Sequence, residues 1–444
     1  MIRIYVPKLS ERIRYIFHYV FDERLGLSYS LTDDLHDFKA YPLSEKIVYA
    51  PQNINEGLYI QALPLLFETH ISEQALSLSW FKDIPLCFQT DNPISTIPFD
   101  IFAACFYFLS RYEEYLPYET DEHDRYKAEN SFAFQHNLLQ KALVDRWVNY
   151  FYDIINQHFP DEEMKKNEFR FIPTYDIDLA FLYKNKGLCL TLAGMGKQSI
   201  KREWKAIKNR LDSIFGKTPD PYDTFDYLEK LHQQYNLQTL FFILFASRSR
   251  YDKNNFINNK KFIALIQRLE QHATIGIHAS YASSFSHVEL LQKEIRQLQA
   301  VVKNPIVSNR QHYIRLRLPE TYDMLLKNNI KDDYSMGYVN HIGFRAGTCF
   351  PFYFFNLKDN KATSLRVHPF LFMENALLNA CDTSVEALWE KVKPCIEEVK
   401  KYQGEMITLF HNASFGTESN VDFKTFYERI INNKIGRASC RERV

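Results

Sequence analysis

Residues 171–178 read F-I-P-T-Y-D-I-D, an apolar run that ends in two carboxylates two positions apart, Asp176 and Asp178. On a strand, residues two apart share a face, so both acids point the same way. Like charges at that spacing repel, and the pair requires a cation, a shared proton or open solvent. Other reactive side chains recur in the same setting. Short apolar runs finish in or beside Ser247, His278, Arg310 and His312, Ser335, Glu374 and His411. Asp and His together are what a borderline cation such as zinc binds, with water completing the coordination of a catalytic site. One acid would ligate and the other act as general base, while His411 would protonate a leaving group. A polarising metal, a base and an acid form a minimum kit for hydrolysing an amide or ester.

The elements that must position these groups are legible as alternation. From Phe169 onward, strand-like runs are separated by amphipathic helical segments: F-R-F-I-P-T-Y-D, T-L-F-F-I-L-F-A, A-T-I-G-I-H, N-P-I-V-S-N-R, D-D-Y-S-M, R-V-H-P-F-L-F-M and M-I-T-L-F-H. Repeated βα units imply a parallel sheet covered by helices, and seven of them suggest a closed or nearly closed barrel. The C-terminal ends of such strands form one face, and that face holds the active site. In S-H-V-E-L-L-Q-K-E-I-R-Q-L, Ser286 and Glu289 have capping-box spacing.

Residues 1–160 mix strand-like runs (M-I-R-I-Y-V, K-I-V-Y-A, I-P-L-C-F) with the helical periodicity of F-D-I-F-A-A-C-F-Y-F-L-S-R-Y-E-E-Y and L-V-D-R-W-V-N-Y-F-Y-D-I-I, and read as a smaller α/β domain of unknown function. A charged bridge, D-E-E-M-K-K-N-E, separates it from the barrel expected over residues 169–434. The last ten residues, 435–444, resemble read-through of a common sequencing adapter and are set aside; on that reading the native C-terminus is missing.

Composition bounds the class. A chain of 444 residues, 46% hydrophobic, is long enough for two or three domains with real cores. Lys+Arg and Asp+Glu balance at 54 each, so no overall basic surplus points to nucleic acid or an anionic membrane as the main partner. The N-terminus has scattered charges and no apolar core, and the apolar run ending at Ala246 is too short to span a bilayer. A cytoplasmic location is the expectation, with the seven cysteines reduced; no C-x-x-C pairing suggests a cysteine zinc site.

T-Y-D-I-D, followed by G-I-H-A-S-Y, N-R-Q-H-Y and L-F-H-N, resembles the polysaccharide deacetylase superfamily, carbohydrate esterase family 4. S-R-Y-E-E-Y and G-F-R-A-G-T-C-F-P-F resemble a bacterial two-domain subgroup with an uncharacterised N-terminal domain. The resemblance reaches to about Tyr427 and implies a distorted seven-stranded (β/α) barrel that removes N-acetyl or other acyl groups from an amino sugar or glycan. Carried over by position, Asp176 is the catalytic base, Asp178 and His278 are metal ligands, Arg310 orients the base and His411 is the acid. Four residues after His278 the family has another metal-binding histidine, and here that position is Ala282; His312 is the candidate replacement. Arg345, Tyr281 and Asn412 are candidate substrate-binding residues. The implied cofactor is a divalent metal, zinc first, with manganese or cobalt as alternatives. Two other readings stand beside this one: a metal-independent amide hydrolase acting on a small molecule, and a non-catalytic glycan-binding protein. Oligomeric state is not encoded in any motif.

Several residues also have plain structural readings. Arg345 could hold a loop carboxylate. Arg111, Glu113 and Glu114 read as domain-packing ion pairs, His287 as a helix cap, His341 as a solvated loop residue and His368, beside Pro369, as structural. Glu374 reads as a partner for a lysine, with orientation of a ligand as its alternative.

Overall fold

The computed structural model describes residues 1–285, 287–378 and 382–435. Ser286 of the capping-box expectation, and all but one of the ten C-terminal residues, lie outside the described residues.

The first part of the chain is built on four parallel strands, β1 (Ile2–Tyr5), β2 (Tyr29–Thr32), β3 (Lys46–Ala50) and β4 (Leu58–Gln61), in the order β2-β1-β3-β4. All five residues of β3 are buried, as a central parallel strand covered on both faces requires. Helix α1 (Glu11–Phe17) starts at Ser10, whose hydroxyl accepts the Ile13 N–H. Helix α2 (Ile101–Leu109), capped by Asp100, is apolar all round, and all nine of its residues are buried. It packs Phe102 on Phe17 of α1 and is flanked by α3 (Leu143–His158). I-P-L-C-F does not join this sheet; Ile84–Leu86 pairs antiparallel with Ser79–Phe81.

The second part follows the alternation in the sequence, with a helical hairpin inserted after its first strand. Its elements run β5 (Arg170–Ile177), α4 (Leu188–Ile200), α5 (Trp204–Ile214), α6 (Phe225–Gln234), β6 (Leu240–Ile243), α7 (Lys260–Leu269), β7 (Thr274–Ala279), α8 (Val288–Gln299), β8 (Ser308–Gln311), α9 (Glu320–Lys327) and β9 (Asp332–Asp333). There follow β10 (Phe352–Asn356), β11 (Lys361–Val367), β12 (Phe372–Met373), α10 (Val385–Tyr402) and β13 (Glu405–His411). The sheet order is β10-β11-β9-β8-β7-β6-β5-β13-β12, parallel except for β10 against β11. The hydrogen-bonded ladder links nine strands, where the sequence suggested seven in a closed or nearly closed barrel. R-V-H-P-F-L-F-M is the cause of part of the difference. It divides at His368 and Pro369, where the ring nitrogen has no hydrogen to give a ladder, leaving β11 before it and β12 after it.

The sheet nevertheless curls around its own core. Leu240 and Phe242 of β6, Met373 of β12 and Ile407 and Leu409 of β13 pack with Ile314, Tyr334 and Phe370 in one enclosed cluster. A second, larger core is continuous across the two parts of the chain. Polar contacts bind them too. The Arg345 guanidinium grips Glu114 through both carboxylate oxygens, at 2.9 and 2.7 Å, and Arg111 donates to the same carboxylate at 2.8 Å and to the Arg345 carbonyl. All three side chains are buried. Removing Glu114 leaves Arg345 without an anion and Arg111 with only the more distant Glu113, at 3.7 Å. Glu114→Ala should cost about 3–5 kcal/mol, read as a fall in the urea midpoint; a loss under about 1 kcal/mol would contradict the packing described.

Candidate metal centre and active site

Strand alternation builds the site. Ile172, Thr174, Asp176 and Asp178 lie two apart along and just beyond β5, as do Ser308, Arg310 and His312 on β8, and Ile407, Leu409 and His411 on β13. Each row is apolar or uncharged toward the strand start and ionisable at its end. Between them, β7 contributes Gly276 and His278. A Cβ at Gly276 would stand 2.6 Å from the Phe242 ring and 2.9 Å from the Ser308 carbonyl, so only glycine lets β6, β7 and β8 close beneath the histidine.

At the strand ends the two acids have different partners. Asp176, almost fully buried, faces Arg310 Nη1 at 3.2 Å and His278 Nε2 at 3.5 Å. Arg310 is itself fixed: Nη1 donates to Thr174 Oγ1 at 2.7 Å, Nε donates to the Tyr334 carbonyl at 2.9 Å, and its guanidinium carbon lies 4.6 Å from the centre of the Phe242 ring. Asp178 is met by three imidazoles, His278 Nε2 at 3.2 Å, His312 Nε2 at 3.4 Å and His411 Nε2 at 3.6 Å.

Each of these rings has its other nitrogen occupied. His278 Nδ1 is 2.9 Å from the Arg310 carbonyl, His312 Nδ1 is 2.9 Å from Asp252 Oδ1, and His411 Nδ1 is 2.5 Å from Glu374 Oε1. These partners only accept, so the Nδ1 atoms carry protons and the Nε2 atoms face Asp178. Asp252 is held in turn by the Tyr281 N–H at 2.7 Å and the Ser249 hydroxyl at 2.8 Å; Glu374 accepts from the His411 N–H and the Ser414 hydroxyl.

The charges are coupled. Burial alone would raise the Asp178 carboxyl, but His312 and His411 outweigh it and hold the group well below the usual carboxylate range. Burial disfavours a charged His312, yet Asp178 and Asp252 push it up to about 9. Burial acts likewise on His411, and Glu374 and Asp178 push it up to about 10. The site attracts positive charge, and a divalent ion would take the place of protons at Nε2.

Asp178, His278 and His312 fit such an ion. Their ligand atoms all lie within 4.8 Å of one another. Asp178 Oδ1 is buried without a hydrogen-bond partner, a costly condition unless something binds it. The tethered Nδ1 atoms supply the outer contacts that orient metal-binding histidines. His312 lies with Asp178 and His278, whereas Ala282 is exposed and the turn around it is pinned by Ser280 and Ser283 on buried Glu294.

These groups line a pocket of about 320 Å³ whose walls include Tyr251, Lys253, Tyr313 and Arg125. Arg125 comes from the first part of the chain, so both parts contribute to the site; its Nη1 donates to the Tyr313 carbonyl at 2.7 Å. Tyr313 and Ile314 both have left-handed backbone (φ 60° and 53°), a strained conformation for such residues that places the Tyr313 ring at the mouth. A larger cleft of about 640 Å³, lined by His18, Arg24, Arg170, Arg366 and Glu405, includes the starts of β5 and β13 and gathers no metal-ligand set among the described residues.

Three residues expected to bind substrate are placed elsewhere. Arg345 spends its guanidinium on Glu114 and the Gly337 carbonyl, outside this pocket. Asn412 is buried and donates to the Leu179 and Tyr222 carbonyls, tying loops together. Tyr281 lies behind the wall, stacked on Tyr251 at 4.1 Å, with its hydroxyl 3.3 Å from His123. Glu374 partners His411 rather than a lysine. Sequence reading missed Asp252, which lies in a loop whose only signal is a polar run after an apolar one. His368 sits beneath the core cluster, stacked on Tyr334 and 2.9 Å from Asp332.

Residues 2–160 match a family model described as a family of unknown function (DUF7033). No curated protein matches the chain. Among solved structures, a putative polysaccharide deacetylase from Mycobacterium smegmatis is 11% identical, with a TM-score of 0.39 over 60% of this chain and 85% of that one. A putative polysaccharide deacetylase involved in O-antigen biosynthesis, from Bordetella bronchiseptica, is 12% identical, with a TM-score of 0.31 over 60% and 80%. PuuE allantoinase is 11% identical, with a TM-score of 0.36 over 61% and 84%. Likenesses this slight assign neither activity nor substrate, which must come from the side chains.

Protein purified without chelator should carry about one divalent transition ion per chain. His312→Ala should lose it, and Asp252→Ala should weaken its affinity by about 10–100-fold, as measured by elemental analysis and chelator competition. Full occupancy in His312→Ala would contradict the ligand set.

Proposed function

We propose that the chain is a metal-dependent hydrolase of carbon–nitrogen bonds that removes an acyl group, N-acetyl foremost, from an amino sugar or its glycan. One observation carries this reading: three side chains able to hold a metal ion, with buried Asp176 beside His278 and His411, paired to Glu374, beside Asp178. His278 and His411 reach Asp178 from the two sides of β5, and Asp176 and His411 are direct partners in the β5–β13 ladder.

A zinc, manganese or cobalt ion held by Asp178, His278 and His312 would polarise a carbonyl and make water acidic enough to attack at neutral pH. The chain's own groups do the rest. Arg310 holds Asp176 as an oriented carboxylate, ready to take a proton from the attacking water. Glu374 keeps His411 cationic, with Nε2 directed into the pocket to give a proton to the leaving nitrogen. Tyr251 and Tyr313 offer flat apolar surfaces against which a sugar ring can lie, while Arg125 and Lys253 supply donors for its oxygens.

Asp176→Asn removes the base without touching a ligand. Acetate release from acetylated amino sugars should fall by about 10²–10⁴-fold with metal content unchanged. Retained turnover in that variant would refute the assignment of Asp176.

A further inference from the structure

Helices α4 and α5, the hairpin between β5 and α6, are turned inside out. None of the thirteen residues of α4 is buried. Its outward face carries Leu188, Leu192 and Ile200, which are 74%, 56% and 85% exposed; Trp204 and Phe215, at the two ends of α5, are 65% and 73% exposed. The opposite side of α4 rests on α5 through Gly194, where Arg210 lies against the backbone and reaches Gln198 at 2.9 Å.

The same segment concentrates charge. Between residues 184 and 217 there are nine Lys and Arg against two Asp and Glu, a surplus of seven in a chain whose totals balance at 54 each. The two acids, Glu203 and Asp212, are answered locally by Lys201 and Lys217. Lys197, Arg202, Lys205 and Lys208 have no ion-pair partner among the described residues. Exposed apolar side chains interleaved with unpaired cations are what an interfacial helix presents to a bilayer of anionic lipid.

We infer that the α4–α5 hairpin docks the protein on an anionic membrane surface, its apolar side chains entering the headgroup boundary and its lysines and arginines meeting lipid phosphates. The fit rests on charge complementarity. An apolar partner surface would leave the cations unanswered, and a nucleic acid would leave Leu188, Leu192, Ile200 and Phe215 in water.

The position of the hairpin ties docking to the pocket. It leaves the sheet directly after Asp178. Asp220 accepts the N–H groups of Leu182, Tyr183 and Lys184 and so closes its base, while Asn412, next to His411, holds Leu179 at the exit and Tyr222 at the return. Docking therefore brings the strand ends that carry the catalytic groups close to the lipid.

The test uses the full chain and vesicles of phosphatidylcholine, alone or mixed with phosphatidylglycerol. Sedimentation with the mixed vesicles, little with the neutral ones, release by salt and a blue shift of Trp204 fluorescence are the expected results. Lys205→Glu with Lys208→Glu should weaken partitioning by roughly tenfold or more, and Leu192→Asp should abolish the sedimentation. All three positions are on the surface and outside the pocket, so hydrolysis of a soluble substrate should not change. Absence of binding to the mixed vesicles, or binding that these substitutions leave intact, would overturn the proposal. So would a dimer in sedimentation velocity that Leu192→Asp dissolves, since a second copy would then cover the face.

Discussion

Two carboxylates on one face of one strand end repel each other, and the architecture around them supplies a different positive partner to each. Asp176 is answered by Arg310, a permanent cation locked beneath it by Thr174, the Tyr334 carbonyl and the Phe242 ring. Asp178 is answered by three imidazoles whose charge is exchangeable, for a proton or for a metal ion. The proposed roles rest on this division: a carboxylate paired with a fixed guanidinium is suited to act as a base, and one surrounded by neutralisable nitrogens is suited to ligate.

The outer contacts make that division hold. A carbonyl, an aspartate and a glutamate each take the Nδ1 hydrogen of one histidine, so the ring nitrogens that matter cannot turn away. The core beneath is equally constrained, with Gly276 the only residue type that fits between Phe242 and the β8 backbone. The first part of the chain is part of the device too. Arg125 braces the Tyr313 carbonyl at the pocket mouth, and Glu114 ties Arg345 and Arg111 across the two parts.

Local patterns made much of this readable. Period-two alternation and the polar ends of apolar runs pointed to Asp176, Asp178, His278, Arg310, His312 and His411, because strand direction alone brings such residues to one face. What long-range contacts decide was not readable. Arg345 meets Glu114 across 231 positions of sequence, and nothing beside either residue announces the other. Asp252 lies in a loop with no periodic signal, and Glu374, although it ends an apolar run, has a partner that loop paths decide. Pro369 splits one apparent strand into two, which changed the strand count. The balanced charge total concealed a strongly basic hairpin, since a sum over the chain erases any local surplus.

The arrangement of Asp178, His278 and His312 is the claim on which the catalytic account stands. Its most direct test is anomalous diffraction from crystals of protein purified without chelator, recorded across the absorption edge of the metal found in it. A single strong peak is expected about 2.0–2.2 Å from an Asp178 oxygen and from Nε2 of His278 and of His312. An active preparation whose crystals show no peak among these three side chains, or whose peak lies elsewhere, would contradict it.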